Sequence, residues 1–144
     1  MLPDDGAESQ GGEEATVQID YTVTTRKPYA EAVKAVTESA AAHGYRVQFV
    51  HDVAQTLAEK GFEREPVTIV EMCNARHASE VLARDIKIGL MLPCPVMVYE
   101  ESSETFISTM RPSLLGSFFP EAHLDEIATE VEAQIIAIVD DAAN

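Results

Sequence analysis

Hydrophobic and polar positions alternate with two different periods along this chain, and the changes of period mark out its elements. Residues 16–24 alternate singly, with Val17, Ile19, Tyr21 and Val23 on one side, which predicts a half-buried strand. Residues 28–43 switch to helical spacing: Tyr29, Ala32, Val33, Val36 and Ala40 share a face, Pro28 suits the first turn and Gly44 the stop. Residues 45–50 alternate again. Asp52 then caps a short helix over residues 53–60, with Val53 and Leu57 turned inward and Gly61 ending it. Residues 66–73 predict a third strand. Asn74 caps a helix over residues 75–85 that offers Ala78, Val81 and Leu82 to a core.

Residues 86–93, IKIGLMLP, are apolar but broken by Gly89 and Pro93, and read as a buried loop or short turn. Residues 95–100 and 104–110 form two further strands joined through Glu101, Ser102 and Ser103. The loop over residues 111–120 carries Phe118 and Phe119, expected to bury against the last helix. That helix spans residues 121–142, with Leu124, Ile127, Ala128, Val131, Ile135, Ile138, Val139 and Ala142 as its apolar stripe. Asp140 and Asp141 at its end oppose the helix dipole. The order is β-α-β-(α)-β-(α)-β-β-α. This is an α+β fold: a curved, mostly antiparallel sheet of about five strands, packed by a first long helix and a long C-terminal one. Residues 1–14 are acidic and glycine-rich without apolar periodicity, and are expected to be a disordered lead to a single domain over residues 15–144.

Charge narrows the range of partners more than overall composition does. The chain carries 25 acids against 10 bases, a formal net charge of −15. Such a field repels a phosphate backbone, so nucleic acid is not an expected partner. Acids occur throughout the chain and lysines are few, as in proteins adapted to high salt, where carboxylates keep a surface hydrated. The start of the chain lacks the basic and apolar regions of a signal peptide, and no apolar run would span a membrane. A cytoplasmic setting with reduced thiols is the expectation.

Candidate chemistry collects in residues 67–100, which hold both cysteines. Cys73 lies at a strand-to-helix junction, where helix N–H groups and Arg76 would favour a thiolate. Cys94 is held between Pro93 and Pro95. Cys73, Cys94 and His77 could ligate zinc or cuprous copper, with Met91 and Met97 as soft neighbours and Asn74 and Arg76 as further binding groups. A redox pair and a nucleophilic cysteine with His77 as base are the other functional possibilities, though the spacing is unlike Cys-x-x-Cys. Two buried, inert thiols are the simplest alternative. No phosphate-cradling glycine loop, nucleotide fingerprint or serine elbow is present. The sequence therefore points to a binding protein before an enzyme. An exposed sheet edge would favour a homodimer, and the open sheet face could take a small molecule or partner.

The segments His51-Asp52-Val53, Thr56-Leu57, Lys60-Gly61, Cys73-Asn74, Gly89-Leu90-Met91-Leu92-Pro93-Cys94 and Val96-Met97-Val98-Tyr99-Glu100 carry a family resemblance. Over residues 17–142 the chain resembles the domain of unknown function 302 family. Where family members often have proline after Cys-Asn, this chain has Ala75. The resemblance implies a TATA-binding-protein-like α+β arrangement, a curved antiparallel sheet under a long C-terminal helix. It implies no activity.

Overall fold

The computed structural model describes residues 18–144. Val17 and the acidic lead lie outside them. Strands β1 (Asp20–Thr25), β2 (Arg46–Asp52), β3 (Val67–Cys73), β4 (Cys94–Glu101) and β5 (Glu104–Met110) form one sheet in the order β1-β5-β4-β3-β2. Every pairing is antiparallel. Helices α1 (Tyr29–Ala42) and α5 (Asp125–Ala143) are the long ones. The short helices are α2 (Val53–Ala58), α3 (Ala75–Arg84) and α4 (Leu115–Phe118). The expected α+β architecture is the observed one.

Strand register decides which side chains meet the helices. Thr68, Val70 and Met72 of β3 lie opposite Val98, Val96 and Cys94 of β4. Val96 and Val98 in turn lie opposite Thr109 and Ile107, which meet Tyr21 and Val23. These positions face α1 and α5, and the main core closes there: Ala32, Val36 and Ala40 from α1, Ile135, Ile138, Val139 and Ala142 from α5, and Val70, Met72, Val96, Val98 and Ile107 from the sheet. Small residues on α1 let the helices approach closely, and the buried Ser39 hydroxyl donates to the Ile138 carbonyl at 2.8 Å. A second, smaller core joins Val81, Ile88, Ala122, Leu124 and Ile127 at one end of the molecule. The other sheet face carries the half-buried Ile69, Met97, Tyr99 and Phe106, the last two rings stacked at 5.1 Å.

Several boundaries differ from the sequence reading, each for a local reason. Strand β2 runs on to Asp52, and a register shift between Val47 and Phe49 breaks its alternation. Phe49 is therefore 56% exposed, although its spacing from Val47 suggested one shared face. Asp52 still caps α2, accepting from the Gln55 N–H at 3.0 Å. Residues Ile86–Met91 form a 3-10 helix and not a buried loop: Ile88 is buried, whereas Ile86 and Leu90 stand out to solvent. A threefold turn places every third residue on one side, so a short apolar run cannot hide all its members. Phe119 packs on the second core as expected, but Phe118 is exposed. The last helix begins at Asp125, because a 3-10 turn over Pro120–Ala122 ends in His123 with φ of 54°. Ile19 precedes β1 and is exposed.

Candidate functional site

The seam between the two cores is incompletely filled. A cavity of about 40 Å³ opens there, walled by the end of the sheet, α3 and α5. Tyr45, Cys73, Asn74, His77, Cys94 and Val131 are among its lining. The remaining walls are aliphatic, from Val81, Leu92, Leu115, Leu124 and Ile127.

Each polar group arrives there by a different route. Cys94 opens β4 opposite Met72 and takes the helix-side position shared with Val96 and Val98. Cys73 closes β3 one residue after Met72, so the two cysteines occupy neighbouring strand ends. Sheet spacing and rise put their Cα atoms roughly 6 Å apart on the diagonal. Alternation gives Cys73 the opposite face, yet at the strand end it also lines the cavity. Both cysteines are free thiols. Asn74 caps α3 by accepting from the His77 N–H at 3.1 Å, which fixes the turn that carries His77 inward.

His77 is the most constrained of these groups. Its side chain is 8% exposed. Its Nε2 lies 3.2 Å from Gln134 Oε1, and the same oxygen accepts the Tyr45 hydroxyl at 2.7 Å. Glu130 stands behind at 3.8 Å from Nε2. An acceptor at Nε2 assigns the proton to that nitrogen and leaves a lone pair on Nδ1. Nδ1 is fully buried and has no hydrogen-bond partner.

Burial governs the thiols. Burial first, and the neighbouring Cys73 second, raise the Cys94 thiol to about 11. Burial also raises Cys73, with a backbone hydrogen bond at Asn74 offsetting part of the effect. The helix N-terminus therefore does not produce the low thiol pKa expected from sequence. Arg76 does not produce one either: its side chain is 72% exposed and turns 3.7 Å from Glu130. Tyr45 is likewise raised, by burial first and then by the charges of Cys94, Glu130 and Cys73.

The other sequence candidates separate. Met91 borders an adjoining small cleft that Cys94 shares. Met97 lies on the far face of the sheet, because alternation from Cys94 puts only Val96 and Val98 on the helix side. Cys73, Cys94 and His77 share one cavity, but among the described residues no three His, Cys, Asp or Glu side chains are set to hold a metal ion together. Tyr45 and Gln134 were not singled out in the sequence. Gln134 had one signal, as an uncharged polar residue beside the apolar stripe of the acid-rich last helix.

No described helix is long and apolar enough to cross a membrane. No curated protein matches the sequence. The chain is similar to a solved structure, an uncharacterized conserved DUF302 protein from Bacillus stearothermophilus, at 31% identity and a TM-score of 0.83. That match covers 88% of this chain and 99% of the other. The family profile described as "Domain of unknown function DUF302" matches residues 21–142, and the chain belongs to that family.

Proposed function

We propose that this protein is a binding protein whose ligand occupies the cavity between its two cores. The unpartnered Nδ1 of His77 carries this reading. A buried polar atom without a partner costs about 1–3 kcal/mol, and native proteins retain few of them. Here Nε2 is already engaged by Gln134, so Nδ1 is the ring nitrogen left open. A ligand reaching Nδ1 would recover that energy. The raised thiols speak against a nucleophilic or redox cysteine acting at neutral pH.

The test is native mass spectrometry of the protein isolated from its own cells. Wild type is expected to carry a bound mass that is absent from Ala128→Met, whose longer side chain fills the cavity from α5. Circular dichroism confirms that the variant folds. Bare wild-type protein, or an adduct that persists in the filled variant, would refute the reading.

A further inference from the structure

Both long helices pack on one face of the sheet. The opposite face is built from the alternate positions of the same strands. Register sets Ile69 opposite Met97 and Tyr99 opposite Phe106, while His51 and Phe49 of β2 lie opposite Ile69 and Glu71. The centre of this face is therefore aliphatic, thioether and aromatic, in a chain of net charge −15. Asp20 and Glu71 are the acids within its strands, and Glu101 and Glu104 lie at its hairpin end.

Two features make the face complementary to itself. On the edge strand β2, Phe49 projects with 56% of its surface exposed. At the β1 end of the same face lies a cleft of about 270 Å³, walled by Ile19, Pro95, Met97 and Met110 among others. A cavity of about 150 Å³ already takes benzene, so this cleft has room for a phenyl ring. The charges are placed in the same sense. The exposed Arg46 opens β2, and Asp20 opens β1 at the other edge of the sheet.

We propose that two copies of this chain pack these open faces together about a twofold axis running along the strands. Such an axis sets β1 of each copy over β2 of the other, with the sheets aligned to within about 30° as in a β-sandwich. Phe49 of each copy then enters the cleft of the other, and Arg46 meets the other copy's Asp20. Each contact is made twice. Five strands about 4.8 Å apart, over six residues of about 3.4 Å each, give a face of roughly 500 Å² in projection. Two such faces reach the roughly 1,000 Å² that a specific interface needs, before side-chain relief is counted. Two chains of this charge repel each other, and least where acids are sparse. Salt should therefore strengthen the pairing. The pairing does not depend on what the cavity between the cores holds.

The experiment is analytical ultracentrifugation of the whole chain in sodium chloride at about 0.05 M and about 2 M. Wild type is expected to dimerise, with a dissociation constant at least about tenfold lower at the higher salt. Phe49→Glu and Met97→Glu should each raise that constant by about 100-fold or more, because each change enters a twofold interface twice. Phe118→Glu alters an exposed ring on α4, which packs with the last helix, and should leave the dimer unchanged. Arg46→Asp should weaken the dimer about tenfold, and adding Asp20→Arg should restore it. Circular dichroism confirms that each variant folds. A wild type that stays monomeric at roughly 100 μM in the higher salt would overturn the proposal without recourse to any variant. So would a dimer that survives Met97→Glu, as an edge-to-edge pairing would, since Met97 lies on the central strand. An Arg46→Asp dimer that Asp20→Arg fails to restore would overturn it as well.

Discussion

Cys94 shows how burial outweighs position at the level of one residue. Flanking prolines hold it extended, but burial against the main core sets its chemistry. Its thiol sits near 11 against an ordinary value of 9.0. A folded acid with a raised pKa binds its proton more tightly than the unfolded chain does. Its contribution is therefore complete below about pH 9 and is lost as pH rises towards about 11. The shift corresponds to roughly 2–3 kcal/mol. Urea unfolding of wild type between pH 8 and pH 11 should accordingly show a steep alkaline loss, about that much of which Cys94→Ala removes. Parallel pH profiles for the two proteins would show that Cys94 is not buried in this way. The same burial makes both thiols slow to alkylate in the folded state at neutral pH, Cys94 slower than Cys73.

Elements differ in how far local sequence determined them. Helix α1 was legible at both ends, because Pro28 and Gly44 act through backbone geometry that needs no tertiary partner. Gly44 adopts φ of 82°, and a Cβ there would meet nothing within 4 Å. Gly44→Ala should therefore cost about 1–2 kcal/mol through backbone strain alone. Gly44→Asn should cost less, since Asn enters the left-handed region more readily. Equal melting temperatures for Gly44→Ala and wild type would contradict this. The β2 bulge and the late start of α5 were not legible: each depends on what packs against the segment, which a period of two or 3.6 does not encode. The candidate site was half legible. Cys73, Cys94, His77 and Asn74 were found from residue type and junction position. Tyr45 and Gln134, which orient His77, sit on elements remote in sequence and enter only through the fold. The acid-rich end of α5 also has an unforeseen remedy: Lys27 donates to the Ala142 and Asn144 carbonyls at 3.0 and 2.7 Å. His43 stands 3.1 Å from Asp141.

At the scale of the whole molecule, charge and core oppose each other. The core favours compaction, while 25 acids against 10 bases favour expansion. Local pairing relieves little of this. Lys34–Glu38 is largely exposed, and such pairs contribute about 1 kcal/mol or less. Arg111–Glu132 is better sheltered; although burial raises the Glu132 carboxyl, hydrogen bonding from Ser113, with the Arg111 charge behind it, holds it below its usual range. The rest of the acidic excess has no counter-charge to meet, so its repulsion is left to the solvent to screen. The Debye length falls from about 30 Å at 0.01 M salt to about 3 Å at 1 M, shorter than the spacing of most surface charges. Stability should therefore rise steeply over that range and keep rising more slowly in molar salt, where only hydration effects remain. Thermal unfolding in sodium chloride from 0.01 M to about 3 M, repeated with sodium sulfate at equal ionic strength, separates the two contributions. A melting temperature independent of salt below 1 M would mean that the net charge is not opposing the fold.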